Sequence, residues 1–472
     1  MNTKKVTFAL FFGNRGFFPA SLVDAARVEV SASLKEWGYD SIMLDKDATR
    51  YGGVETAEEG KKYAQFLRAN RGKFDGVILC LPNFGDENGA AAALRDAEVP
   101  ILIHAYPDEL EKMSPDLRRD SFCGKLSVMD VFRQYGIKFT NIEPHVVHPA
   151  STRFKSNIDL FSGVCRVVAG VKGMTVGEIG ARTTPFKTVR IDELALQKHG
   201  ITVETYDLSD IFGRMNDVSV SDDTFKAKKQ HLKNMSTWEG APDSALENIS
   251  RLAVVLDEVV EESGLDAISI RCWTELQKQF GISPCLVTGD LMNRHIPAAC
   301  EVDTGSAVIM HALDCATGKP SMILDWNNNY GEEEDKCILF HCGNVPSDMM
   351  SGIGKISDHS ILAKSLGFGL GFGCNTGRII PGDITFSNLL TDEGKIQIYV
   401  GQGRITDDKI PDDFFGCAGV AEIENLQNVL LYIGAAGHRH HVALASGHVQ
   451  GSLIEAADKY LGFDVSVPQK EL

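Results

Sequence analysis

The sequence predicts an α/β protein in which two domains of alternating strands and helices precede a β-rich C-terminal domain. Three observations carry this. Short apolar runs such as 6–12 and 76–81 alternate with amphipathic stretches through the first two thirds of the chain, the pattern of βαβ units around a parallel sheet. The alternation breaks around 143–155 and then restarts. After Lys319 it gives way to short strand-like runs separated by turn chemistry such as Asp392-Glu393-Gly394. These breaks divide the chain into an N-terminal α/β domain (1–155), a central α/β domain (156–318) and a C-terminal β-rich domain (319–472).

In the first domain the apolar runs predict strands at 6–12, 41–44, 76–81 and 99–104, with helices at 20–37, 56–70 and 89–97. Ligands of such sheets gather at the carboxyl ends of the strands, where Gly13-Asn14-Arg15-Gly16 falls. In the second domain, helices are predicted at 158–171 and 191–198 and strands at 175–179 and 201–206. A polar stretch, 219–236, is expected to carry one solvated helix. Residues 243–263 form a long helix with Leu246, Ile249, Leu252 and Leu256 on one face. Strands at 267–272 and 298–302 follow, the second leading into a helix that ends near Ala316. The third domain reads as mostly antiparallel, with strands at 322–326, 338–341, 383–388, 395–401 and 419–423.

The 472 residues carry a formal charge of −17, which argues against a nucleic-acid partner because the phosphate backbone would be repelled. Apolar runs fall well short of the roughly 20 residues that span a bilayer. The N-terminal segment lacks the extended apolar stretch and cleavage site of a signal peptide, so a cytoplasmic protein without a membrane partner is expected. Eleven cysteines show no C-x-x-C spacing, and reduced, buried thiols are the expected state.

The chemistry-bearing residues cluster late. Ile296-Pro-Ala-Ala-Cys-Glu301-Val-Asp303 and Met322-Ile-Leu-Asp325 each end a predicted strand in a carboxylate, and Gly437-His438-Arg439-His440-His441 precedes Gly447-His448. A hard divalent ion takes carboxylate oxygens with an imidazole and keeps open positions for substrate oxygens. Spacing alone equally fits ordinary strand-end acids and a solvated histidine turn. Two motifs are rejected. Asp325-Trp-Asn327-Asn-Asn329-Tyr330-Gly331 has its glycine one place late for a calcium loop and Lys336 at the twelfth position. Gly367-Phe-Gly369-Leu-Gly371-Phe-Gly373 does not fit G-x-G-x-x-G and is expected to be a turn of the β-domain. The acid run 332–335 reads as a solvated loop.

Ile270-Arg-Cys-Trp273, Gly281-Ile-Ser-Pro-Cys285 and Ala299-Cys-Glu301-Val-Asp303 resemble the central domain of the L-fucose/L-arabinose isomerase family. Leu324-Asp325-Trp with Phe340-His341-Cys-Gly343 resembles the start of its C-terminal domain, and His441 through Gly447-His448-Val its C-terminal histidine motif. Gly13-Asn-Arg15-Gly16 is similar to its early arginine loop. The resemblance implies two Rossmann-like domains followed by an antiparallel, barrel-like domain, with the active site where the second and third meet. It implies aldose–ketose isomerisation of a sugar through a cis-enediol. Glu301, Asp325 and His441 would hold a divalent metal, usually Mn²⁺, with other divalent ions as alternatives. Glu301 and Asp325 would move the proton between C1 and C2, the base unassigned between them. A homo-oligomer, trimer or hexamer, with an intersubunit active site is also implied.

On the substrate side the candidates are Asn14, Arg15, Lys187 (in Thr184-Pro-Phe-Lys187), Trp326, His341 and His448. Each also has a structural reading: packed tryptophan, satisfied histidine or surface cation. An intervening helix would put His448 on the same face as His441, whereas His438 and His440 read as solvated turn residues. A charged sugar such as sulfoquinovose is the alternative substrate class, since arginine recognises oxyanions bidentately. The rival of another class is a non-catalytic sugar-binding protein, which needs no acids and histidine converging on a metal. A metal-dependent sugar aldolase or epimerase is the enzymatic rival.

Overall fold

The structure, a computed structural model, describes residues 5–470, which fall into two compact units. One unit runs to Ala169 and includes Glu455–Leu461; the other comprises Gly170–Ile454 and the stretch from Gly462.

The first unit contains β1 (Thr7–Phe12), α1 (Ser21–Glu36), β2 (Asp40–Met43), α2 (Ala57–Ala69), β3 (Gly76–Leu81), α3 (Glu87–Leu94), β4 (Ile101–Ala105), α4 (Ser121–Gln134) and most of α5 (Thr152–Val171). The strands form one parallel sheet in the order β2-β1-β3-β4. Every residue of β3 is buried, which is why its sequence is apolar without alternation. Helix α2 starts where the Thr56 side chain accepts the Glu59 N–H. It then packs on α3 through two glycines: a Cβ on Gly60 would lie 2.3 Å from the Gly89 carbonyl oxygen. Helix α4 was not anticipated. Its buried face is Ser121, Gly124, Lys125, Val128 and Phe132, too poor in large apolar residues to show helical periodicity.

The second unit opens with β5 (Thr175–Ile179), α6 (Glu193–Lys198), β6 (Thr202–Tyr206), α7 (Leu208–Asp217), α8 (Asp223–Met235), β7 (Ser236–Thr237), α9 (Asp243–Ser263), β8 (Ala267–Ile270), α10 (Glu275–Phe280), α11 (Cys285–Asn293), β9 (Ala298–Ala299) and α12 (Thr304–Thr317). A second parallel sheet runs β6-β5-β8-β9. The polar stretch carries α8 as expected, but a separate helix, α7, precedes it. The strand predicted to Val302 stops at Ala299.

The same unit continues with β10 (Ser321–Tyr330), β11 (Glu333–His341), β12 (Gly354–Ser357), α13 (Ser360–Leu366), β13 (Cys374–Arg378), β14 (Gly382–Asp392), β15 (Lys395–Ile405), β16 (Cys417–Glu422), α14 (Leu426–Ala436), β17 (His441–Ser446) and β18 (Asp464–Ser466). These strands and β7 form a ten-stranded mixed sheet, in which an added pairing of β15 with β16 closes the ring β15-β14-β17-β10-β11-β16. Closure leaves those six strands without a free edge. Asp392 pairs with Lys395 across Glu393-Gly394, both at positive φ, the conformation of a type I′ hairpin turn. The acid run 332–335 is not a loop: its last three residues begin β11 with exposed side chains.

Meeting the core side of the ring are Met322, Leu324, Leu339, Phe386, Tyr399, Val442 and Leu444. Helix α12 is buried along almost its whole length and contacts β5 and β8 of the parallel sheet as well as β10, β14 and β17. All eleven cysteines are free, and only Cys123 is exposed. Among the described residues no helix is long and apolar enough to cross a membrane.

Gly60→Ala should lower stability by about 1–3 kcal/mol through overpacking against α3, outweighing the roughly 1 kcal/mol gain in helix propensity. A lower urea midpoint with unchanged slope would register this; an unchanged or raised midpoint would contradict the glycine contact.

Candidate active site

Strand register assembles the site. In the antiparallel ladder of β10 and β17, Asp325 lies directly opposite His441, and directly opposed residues share a face. Leu324 and Val442 point to the core of the ring, so alternation turns Asp325 and His441 to the other face. There the Asp325 Oδ1 lies 3.5 Å from His441 Nε2.

The turn between β9 and α12 supplies two more acids. Glu301 and Val302 both adopt left-handed φ, 56° and 61°, costly for non-glycine residues and more so for a β-branched one. The turn aims Glu301 inward. Its Oε1 accepts the Trp273 indole N–H at 3.1 Å and the Cys272 thiol at 3.3 Å. Its Oε2 faces His441 Nε2 at 3.6 Å and His341 Nε2 at 3.7 Å. Asp303 caps α12, accepting the Ser306 N–H at 3.0 Å and its hydroxyl at 2.7 Å. Wholly buried, it also holds the Arg439 guanidinium and, at 2.7 Å, His441 Nδ1. With Nδ1 so engaged, the other ring nitrogen is directed at the two acids.

Burial alone would raise the carboxyls of Glu301 and Asp303. For Glu301 the imidazoles of His341 and His441 overcome this and bring it to about 2. For Asp303 the Arg439 charge and the His441 bond hold it well below the usual carboxylate range. Burial would lower His441, but Asp303 first, then Glu301 and Asp325, raise it to about 9. Glu301, Asp303 and His441 thus favour one another's charged forms. Glu301 Oε2 and Asp325 Oδ1 are buried and have no hydrogen-bond partner. Their separations from His441 Nε2 are too long for hydrogen bonds, and His441 is the residue common to the two ligand groups that the acids join. Glu301 with His341 and His441, and Asp325 with His440 and His441, each bring ligand atoms within 4.8 Å of one another. The residues present therefore fit a divalent ion.

The other candidates are distributed differently. His341 ends β11, is 3% exposed, and accepts the Cys342 N–H on Nδ1 at 3.0 Å. His440, read from sequence as a solvated turn residue, sits with Nε2 3.6 Å from Asp325 Oδ1 and its ring against Phe186. Phe186 also packs on Trp273 and His441, and its neighbour Lys187 is exposed. Trp326 is turned by strand alternation away from Asp325; its indole donates to the Tyr399 hydroxyl at 3.2 Å and its ring lies edge-on to Phe386. No helix joins His441 to His448: the segment is β17, and His448 lies beyond it, half-exposed, 3.9 Å from Asp383. Asn14 and Arg15 belong to the other unit. Asn14 is buried and donates to Glu55 at 2.5 Å; Arg15 donates to the Gly85 carbonyl at 2.8 Å, pairs with Glu87 and lies over the Phe84 ring. Sequence reasoning assigned no role to Asp303, Arg439 or Phe186. The available signal was Asp303-Thr-Gly-Ser306, a helix N-cap pattern.

Asp303→Asn should cost about 3–5 kcal/mol, because it leaves the Arg439 charge buried without its counter-ion. Chemical denaturation measures this; a loss under about 1 kcal/mol, the scale of an exposed ion pair, would show that Asp303 is not the anchor described.

Residues 9–172 match the fucose/sulfoquinovose isomerase N-terminal domain and residues 339–468 the L-fucose isomerase C-terminal domain. The chain is similar to proteins named sulfoquinovose isomerase. That from Priestia aryabhattai is 20% identical over 404 residues, 85% of this chain and 87% of the relative. That from Alkalicoccus urumqiensis is 22% identical over 387 residues, 81% and 83%. That from Clostridium sp. (strain MSTE9) is 24% identical over 271 residues, 57% and 59%. With both terminal domains of one enzyme family matched in order along it, the chain belongs to the L-fucose isomerase-like family and is an aldose–ketose isomerase.

Proposed function

We propose that this chain is a cytoplasmic, divalent-metal-dependent isomerase that interconverts an aldose and a ketose through a cis-enediol, with Glu301, Asp325 and His441 holding the ion and Mn²⁺ the preferred metal. One observation carries the reading: two buried carboxylate oxygens without hydrogen-bond partners, Glu301 Oε2 and Asp325 Oδ1, face the same imidazole nitrogen. The ion, when bound, supplies positive charge for the oxygens that become electron-rich as the enediol forms.

The side chains divide the remaining work. Asp303 keeps the His441 ring oriented and Arg439 neutralises Asp303. Trp273 and Cys272 hold one oxygen of Glu301, so the carboxylate cannot rotate freely. Glu301 and Asp325 are the acids that move the proton between C1 and C2. Glu301, with its side chain 8% exposed, suits a transfer shielded from water, and Asp325, at 22%, suits exchange with it. His341 is a further candidate for the ion. In a homo-oligomer, trimer or hexamer, Asn14 and Arg15 of one protomer would approach the sugar held by another.

The relatives favour a finer reading, a sulfonated hexose such as sulfoquinovose as the substrate, with Lys187 and Arg15 as the cations available to its far end.

Chelator treatment should abolish turnover and Mn²⁺ restore it; full activity in the stripped protein would end the metal role. Glu301→Gln should reduce kcat by about 10²–10⁴-fold with the fold intact by circular dichroism, and an active variant would remove Glu301 from proton transfer. Turnover of L-fucose, D-arabinose, L-arabinose and sulfoquinovose, followed by NMR in D₂O, should give the ketose with no carbon–carbon cleavage. The highest kcat/KM is expected for sulfoquinovose; its rejection beside a neutral sugar would overturn the finer reading alone.

A further inference from the structure

Of the two Glu301 oxygens, the isomerase reading gives the ion Oε2 and uses Oε1 only to fix the carboxylate, through the Trp273 indole and the Cys272 thiol. Oε1 meets that thiol at 3.3 Å, and Cys300, the residue before Glu301, brings a second buried thiol. One ligand atom from each of Cys272, Cys300 and Glu301 lies within 4.8 Å of the other two. The Asn344 side-chain amide donates to the Cys300 sulfur at 3.5 Å and orients it. We propose that Cys272, Cys300 and Glu301 Oε1 form a second cation site, selective for thiophilic divalent ions such as Zn²⁺ or Cd²⁺, that shares Glu301 with the carboxylate–histidine site.

The chemistry of the donors separates the two sites. Two sulfurs and one oxygen suit a soft or borderline ion in tetrahedral coordination with one position open. Two carboxylates and imidazole suit a harder ion. On binding, two S–H bonds break, two sulfur–metal bonds form and both protons leave to solvent; no atom is oxidised or reduced. Occupation of this site draws the charge of Glu301 towards the thiols. Thiophilic ions should therefore suppress isomerisation even with Mn²⁺ in excess. Burial of both sulfurs (Cys272 7% and Cys300 1% exposed) makes the onset slow.

The test uses the full chain carrying Cys123→Ser, which removes the exposed thiol. Cadmium titration of the metal-stripped protein should produce the ultraviolet thiolate-to-cadmium charge-transfer band with one equivalent. The band should disappear in Cys300→Ser and persist in Cys285→Ser, which disrupts the other close buried pair, Cys285 and Cys374, whose sulfurs lie 3.9 Å apart. Absence of the band, or its survival in Cys300→Ser, overturns the proposal. Zinc-edge X-ray absorption on the protein with both cysteines intact gives the answer should Cys300→Ser fail to fold. Sulfur neighbours at about 2.3 Å support the site, and a shell of nitrogen and oxygen alone refutes it. Because both readouts are spectroscopic, they stand whether or not the isomerase reading does.

Discussion

A single buried carboxylate, Asp303, ties the site to the fold. It begins α12, accepts from that helix's first turn, and binds both Arg439 and His441 at the start of β17. A charge removed from water costs several kcal/mol unless its partners replace the lost hydration, and here a guanidinium, an imidazole, a hydroxyl and a backbone amide do so. One residue on, Thr304 bonds Glu178 of β5 and Ser269 of β8. The helix N-terminus thus joins the parallel sheet to the closed ring of strands. Gly305 permits this convergence: a Cβ there would lie 2.7 Å from Arg439 Nη1 and 3.0 Å from the Leu389 carbonyl oxygen.

Strand alternation then separates packing from chemistry. Along β10, residues 322 and 324 enter the core of the ring while Asp325 lies on the opposite face, and along β17 Val442 and Leu444 pack while His441 faces Asp325. A slip of one residue in the pairing would exchange the two sets, placing an acid in the core of the ring and leucine in the site. The hydrophobic core therefore enforces the register that brings the candidate ligands together. The same alternation sends Trp326 to the packing side, so an aromatic residue adjacent in sequence to an acid does not adjoin it in space.

Glu301 shows how local strain serves this arrangement. Two successive left-handed residues turn the chain sharply between β9 and α12, and the conformation persists because Asp303 and the α12 contacts over-determine it. Indole and thiol donors then immobilise one carboxylate oxygen, leaving the other facing two imidazoles. For an aldose–ketose isomerase this is a preorganised anionic centre: its electrostatic cost is met in folding rather than at the moment of reaction.

The sequence by itself determined what depends on local chemistry. The buried parallel strand β3 shows as an unbroken apolar run and was legible to the residue; β5 was placed to the residue as well, although Glu178 interrupts its apolar pattern. Helix α9 was legible from its apolar stripe, and the Glu393-Gly394 turn from its need for positive φ. The family resemblance singled out Glu301, Asp325 and His441. Helix α4 escaped because its buried face holds glycine, serine and lysine; α7 was missed although its Leu208, Ile211 and Met215 stripe and its Asp207 cap are legible in the sequence. Only the tertiary structure decided the rest. It set Asp325 opposite His441, drew His440 beside Asp325, linked Asp303 to Arg439 and turned Trp326 and His448 elsewhere. These pairings join segments more than a hundred residues apart, and they follow from strand register and helix docking, which local periodicity does not encode.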